Sequence, residues 1–161
     1  MALYSKMDDI DLRIVAELQN DARLTNVDLA DRVGLSPSPC LRRVKLLEER
    51  GVIAGYSARL NREAIGLSLT VFVEITVAQH SRKNAETVEQ NLAGIPGLVS
   101  CHMVSGDADF LVELAVADLK MYERVLTENI LTIEAVEQVR SNFSLRPIRI
   151  AQPLTLPPKI L

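Results

Sequence analysis

Ser36-Pro-Ser-Pro-Cys-Leu-Arg-Arg-Val-Lys-Leu-Leu-Glu-Glu-Arg50 reads as the helix around which the rest of this chain is arranged. Two prolines in four residues look like a helix breaker. The first-turn N–H groups of a helix have no intrahelical acceptor, however, so Pro37 and Pro39 cost little there. Ser36 or Ser38 supplies the N-cap, its hydroxyl accepting from an orphan N–H two or three residues on. Each precedes a proline, a position that resists the α conformation, and the pattern alone leaves the choice open. At about 100° per residue, Cys40, Val44 and Leu47 share one face while Ser38, Arg42, Lys45 and Glu49 fall opposite. Arg43 and Arg50 flank that ridge. A buried stripe, a basic outer face and hydroxyls at the helix start suit phosphates and guanine edges. A solvated amphipathic helix offers the same pattern, so the neighbouring residues must decide between the two.

Upstream, residues 1–7 show no pattern and read as a frayed lead-in. From Asp8 the chain turns periodic, with Ile10, Ile14 and Leu18 every four residues and Asp8, Asp9 and Asp11 in the first turn, where negative charge suits the helix dipole. This helix ends near Asn20. Thr25 or Asn26 caps a second helix that turns Val27, Ala30 and Val33 inward, and Gly34 closes it in the left-handed conformation. Two short helices joined so tightly, with the small Ala30 permitting close approach, describe a helix-turn-helix in which the basic stretch is the second member.

Downstream, Gly51 stops the basic helix, and Val52 to Leu60 reads as extended chain, a wing or a strand leading out. A polar, glycine-ended segment from Asn61 to Gly66 marks a boundary, giving domains at 1–60 and 61–161. The second half changes period. Leu69, Val71, Val73, Ile75 and Val77 alternate with Thr70, Phe72, Glu74 and Thr76 as a strand. Residues near 82–93 are helical through Ala85, Val88 and Leu92, and Gly94-Ile-Pro-Gly97 turns. Val99–Ser105 and Phe110–Val116 are strands joined by Gly106-Asp-Ala-Asp109. Asp118 caps a helix with Leu119, Tyr122 and Leu126 inward, and Val136–Leu145 is a last strand before an extended tail with Pro147, Pro153, Pro157 and Pro158. The order βαββαβ predicts an α+β chain whose second half is a ferredoxin-like sheet with both helices on one face. Phe72 lies on the uncovered face, so a second copy packing there predicts a homodimer.

The 161 residues are 48% hydrophobic and 24% charged, an ordinary balance for a soluble chain of one or two domains. No run approaches the roughly 18 apolar residues of a membrane span, and the N-terminus lacks a signal peptide's layout, which makes the cytoplasm the expected location. Cys40 and Cys101 fall on apolar positions without C-x-x-C spacing, so neither disulfide nor zinc is expected. The net charge is −3. Residues 1–62 carry 10 basic and 9 acidic groups against 8 and 12 in residues 63–161, which places the acidity away from the basic helix. A module so nearly neutral holds DNA weakly as a single copy, a further hint of several copies on one duplex.

With both halves placed, the chain resembles the Lrp/AsnC family, the feast/famine transcription regulators. The resemblance covers nearly the whole sequence and rests on motifs in order. These are Asp8-x-x-Asp11-x-x-Ile14, Asn20-Asp-Ala-Arg23, Leu29-Ala-x-x-Val-Gly-Leu-Ser36, Arg43-Val-x-x-Leu-Glu48, Gly51-Val-Ile-x-Gly-Tyr56 and Val104-Ser-Gly-Asp-Ala-Asp109. Ser36-Pro-Ser-Pro-Cys40 and Phe72-Val-Glu-Ile75 are most similar to the leucine-responsive branch. The resemblance implies an N-terminal winged helix-turn-helix, a C-terminal ligand-sensing domain of RAM type, and dimers and tetramers of dimers that wrap double-stranded DNA. On it, Ser36, Ser38, Arg42, Arg43 and Lys45 meet DNA. It also implies an amino acid or related metabolite as effector, bound between dimers at Met103, Val104, Ser105, Gly106, Asp107 and Asp109 of the hairpin and at Asn142, Phe143 and Ser144 of the last strand. Asp109 would accept from an α-ammonium, and N–H groups of the glycine turn would meet a carboxylate. Ala108 departs from the aromatic common between the aspartates in this family. No cofactor and no membrane partner are implied.

The competing reading is a small enzyme using His102, Asp107, Asp109 and Cys101. Cys101 and His102 are strand neighbours that point to opposite faces, His80 is a lone loop histidine, and no nucleophile–base–orienter set or metal spacing can be drawn. An architectural DNA protein without an effector is the third reading.

Overall fold

The computed structural model describes residues 7–78, 82–149 and 152–156. His80, and Pro157 and Pro158 of the expected tail, lie outside the described residues. The chain divides into two compact units, one formed by Met1–Ala58 with Arg149–Leu161 and the other by Arg59–Ile148.

In the first unit, α1 spans Asp9–Asn20 and opens on a reciprocal cap. The Asp8 carboxylate accepts from the Ile10 and Asp11 amides at 3.0 and 2.9 Å, and the Asp8 amide donates back to Asp11 at 3.3 Å. Met7, expected to be frayed, is buried, because it packs into the core beneath that cap. Helix α2 spans Asn26–Val33. Thr25 is its cap, accepting from the Asp28 amide at 3.2 Å, while Asn26 donates to the Pro37 carbonyl at 2.8 Å and ties the start of α2 to the next helix. Gly34 closes α2 at φ +73°, and α3 follows at Pro37–Glu49. The core is Ile14, Leu29, Ala30, Val33, Cys40 and Leu47, with Val44 packed against it. Val27, expected inward, is exposed: α2 turns Leu29 to the core instead, a rotation of the buried stripe toward α1.

Beyond Gly51, the stretch 52–60 expected as a wing or strand forms no strand. Among the described residues it has no neighbouring strand to pair with. Leu154, in the tail expected with the second domain, is bonded to α1: Gln19 accepts from its amide at 2.8 Å and donates to its carbonyl at 3.3 Å.

The second unit is a four-stranded antiparallel sheet in the order β2-β3-β1-β4, with β1 at Leu69–Val77, β2 at Leu98–Met103, β3 at Phe110–Val116 and β4 at Val136–Phe143. Helices α4 (Arg82–Leu92) and α5 (Leu119–Val125) both cover one face. Val71, Val73, Ile75 and Val77 of β1 and Phe110, Val112, Leu114 and Val116 of β3 pack with Val88 and Leu92 of α4 and Tyr122 and Val125 of α5. This is the expected ferredoxin-like arrangement. Asp118 caps α5 through the Met121 amide at 2.8 Å. Leu119, expected inward, is exposed, and Met121 and Tyr122 are the residues of this helix's start that reach the core. A π-helical turn at Leu126–Ile130 continues α5 and delivers Ile130 to that core.

Candidate DNA-contacting helix and effector recess

Helix α3 is set by its first turn. Ser36 is the N-cap by backbone conformation, but its hydroxyl makes no capping bond. The reason lies in Pro39, which stands third in the helix, where a cap hydroxyl most often finds its donor, and has no N–H to offer. The Ser36 hydroxyl is therefore exposed, as is Ser38 one residue inside the helix. Arg42 and Lys45 project to solvent from the same side, and among the described residues neither makes an ion pair. Glu49 ends the ridge, and Glu48 is turned aside, accepting from the Tyr56 hydroxyl at 2.9 Å.

Arg43 behaves differently. Its Nη1 donates to Asp8 Oδ2 and to Asp11 Oδ1, each at 2.7 Å, and Asp11 is the buried charged residue of this core. The guanidinium bridges the cap of α1 to the middle of α3, so Arg43, expected at DNA, is engaged with two carboxylates of its own unit. The Asp11 amide, seconded by the Arg43 guanidinium, holds the Asp8 carboxyl below its ordinary value. Arg50, the other flanking arginine, is half-buried at the end of α3.

The hairpin and last strand hold the expected effector residues on both faces of the sheet. Gly106 bends the turn at φ +129°, and the Asp107 carbonyl accepts from Thr76 Oγ1 at 3.3 Å. The Asp109 carboxylate accepts from the Val77 amide at 2.7 Å, and its amide donates to the Ile75 carbonyl at 3.0 Å, so Asp109 closes the end of β1. The Val104 amide donates to the Asp109 carbonyl at 2.9 Å, Ser105 is exposed, and the Ser144 amide continues the ladder to Thr70 at 3.0 Å. Phe143 pairs with buried Val71 and sits edge-on to Tyr122, ring centroids 5.4 Å apart, on the helix-bearing face. Met103, paired with Phe110, lies on that face too. Asn142, opposite Phe72, lies on the open one. Neighbouring residues of a strand face opposite ways, so Asn142 and Phe143 cannot line one site on the open face.

What the open face does assemble is a shallow recess of about 50 Å³ lined by Glu74, Thr76, Asp107, Ala108, Gln138 and Arg140. Arg140 Nη1 lies 3.3 Å from one Glu74 oxygen, and Asn142 donates to the other at 2.9 Å. A carboxylate, a guanidinium and an amide, held side by side, match the two charges of a zwitterion. Glu74, Thr76, Gln138 and Arg140 line this recess and were not among the site residues expected from the sequence. The signal available for them was the outward half of the alternation on β1 and β4.

The cysteines carry no nucleophilic chemistry. Burial pushes the Cys40 thiol up, and burial together with Glu89 does the same to Cys101, so both stay protonated. His102 pairs with Leu111 on the open face while Cys101 pairs with Val112 on the other. Among the described residues no three His, Cys, Asp or Glu side chains are grouped to hold a metal ion, and no helix is long and apolar enough to cross a membrane.

Residues 7–54 match a family model described as winged helix-turn-helix DNA-binding, and residues 70–154 match one described as Lrp/AsnC ligand binding domain. The chain is 39% identical over 149 residues to a leucine-responsive regulatory protein of Rhizobium meliloti, spanning 92% of this chain and 96% of that one. To its counterpart in Escherichia coli K12 the identity is 40% over 143 residues, 89% and 87% of the two chains. A transcriptional regulator from Neisseria meningitidis, solved as a complex with L-Met, superposes with a TM-score of 0.88 at 32% identity, over 92% of this chain and 96% of that one. An AsnC family regulator from Agrobacterium tumefaciens gives 0.85 at 35% identity, over 94% and 97%.

Proposed function

The chain belongs to the Lrp/AsnC family of transcriptional regulators, which are not enzymes, and on that premise we propose that it is a sequence-specific double-stranded DNA regulator of metabolism whose binding is modulated by an amino acid. Arg42 and Lys45, with the hydroxyls of Ser36 and Ser38, are the DNA-contacting groups. Arg43 holds α3 in place for them. The observation that carries this reading is the division of labour along α3: Arg43 is bonded to two carboxylates, while Arg42 and Lys45 stand exposed on the outer face and make no ion pair among the described residues.

The effector site is the open-face recess, with Arg140 set for an α-carboxylate, Glu74 for an α-ammonium, and the Gly106–Asp109 turn as its rim. A recess of about 50 Å³ is too shallow to enclose a whole amino acid, so a second copy must complete it. Phe72, 38% exposed on the same face, supports assembly into homodimers and tetramers of dimers through this unit, at work in the cytoplasm. An effector then alters DNA binding as far as it prefers one assembly over another.

Gel shifts at several salt concentrations test the first half. Arg42→Ala should lose about 1–3 kcal/mol of specific binding, and an unchanged shift removes Arg42 from the contact. A thermal-shift screen of the twenty amino acids, read beside light scattering, tests the second. If none changes assembly or DNA affinity, the protein is an architectural DNA binder instead.

A further inference from the structure

Helix α3 carries two apolar side chains, Leu41 and Leu46, that neither the core nor the basic ridge explains. Leu41 is 44% exposed, although Cys40 beside it is fully buried. It stands three residues after Ser38 and four before Lys45, so it shares their side of the helix. It is the fifth residue of a 13-residue helix, in the N-terminal half that a recognition helix presents to base edges. Leu46, 39% exposed, stands in the C-terminal half of the helix, the half less often presented to base edges.

We propose that Leu41 reads a thymine, packing its isobutyl group against the C5-methyl in the major groove. The inference rests on the DNA-binding reading above. The chemistry is specific because the thymine methyl is the apolar group that the base edges offer in that groove. A cytosine at the same place would set its N4 amino donor against a side chain with no acceptor, which costs affinity. Arg42 and Lys45, both C-terminal to Leu41, bring charge to phosphates or guanine, and neither supplies this discrimination. Leu41 thus adds a base preference to a surface otherwise built for charge.

Deoxyuridine keeps every hydrogen-bonding group of thymine and lacks the methyl, so it isolates the contact. Duplexes are selected from a random library by the full-length protein. Each thymine is then replaced singly by deoxyuridine, and affinity is measured by fluorescence anisotropy at fixed salt for wild type and Leu41→Ala. The expected result is one thymine per half-site whose replacement weakens wild-type binding about three- to fivefold, the worth of one methyl group taken from water, and Leu41→Ala binding the two duplexes alike. Enriched duplexes with no methyl-sensitive thymine, or with a sensitivity that persists unchanged in Leu41→Ala, overturn the assignment and leave DNA binding standing. A library that yields no enriched duplex overturns the DNA-binding reading itself.

Discussion

The guanidinium of Arg43 donates to the Asp11 carboxylate at 2.7 Å across 32 residues of chain, joining the middle of α3 to the first turn of α1. Two arginines adjacent in sequence therefore do different work. Arg43→Ala leaves the buried Asp11 without its charged partner and should cost about 1–3 kcal/mol. Hydrogen exchange of α1 and α3 amides in the full-length protein would show it as lost protection. Arg42→Ala should leave that protection within about 0.5 kcal/mol of wild type and weaken DNA binding instead. Equal loss of protection in the two variants would contradict the division.

The Asp8 cap makes α1 sensitive to acid. Its carboxyl titrates lower in the folded state than its ordinary value of 3.8, through the Asp11 amide first and Arg43 after it. A lowered folded value means that the contribution is full above the unfolded value and fades as pH falls through the folded one. The helix-turn-helix should lose stability below about pH 4 for this reason. In Asp8→Asn the amide oxygen still caps while nothing titrates, so the acid limb followed by circular dichroism should be shallower. A limb identical to wild type would exclude Asp8 as its source.

Gly34 and Gly97 both sit at positive φ, yet they should respond differently to a methyl group. A Cβ on Gly34 meets nothing within 4 Å, whereas one on Gly97 would lie 2.6 Å from the Ala115 carbonyl oxygen. Gly34→Ala should cost about 1 kcal/mol, the strain of a left-handed residue. Gly97→Ala adds a clash with backbone that also accepts no displacement cheaply, because the Ala115 amide donates to the Gly97 carbonyl at 2.8 Å. Urea midpoints should rank wild type above Gly34→Ala and Gly97→Ala lowest; the reverse order for the two variants would refute the packing argument.

Neighbours on β4 should separate sensing from stability. Phe143→Ala removes the edge-on contact with Tyr122, worth about 0.5–1.5 kcal/mol, and should leave the amino-acid response unchanged. Arg140→Gln should keep the fold and shift or abolish that response. If Phe143→Ala removes the response at unchanged stability, the site lies at the strand residues the sequence pointed to and not in the open-face recess.

Much of this was legible in the sequence because local rules decide it. The Asp118 cap is chosen within three residues of chain, the choice of Thr25 or Asn26 narrowed as closely, the Gly34 turn within one, and the strand alternation of β1 within nine. The order of elements then leaves few ways to arrange the second unit. The errors fall on residues whose local signal is neutral. Val27 and Leu119 are apolar residues in the first turn of a helix, where periodicity does not say whether the core reaches that far. The stretch 52–60 has the composition of a strand, but pairing needs a neighbour that composition does not specify.

Local pattern was enough for the three helices of the first unit, the βαββαβ order of the second and the outward face of α3 at Arg42 and Lys45. Tertiary structure alone decided that Arg43 faces two carboxylates and not solvent, that Gln19 meets Leu154 across 135 residues, and that Glu74 meets Arg140 across 66. Periodicity reports which side of an element a residue occupies, and it is set by backbone geometry over a few residues. Which partner waits on that side depends on how distant segments pack, and no local pattern encodes that.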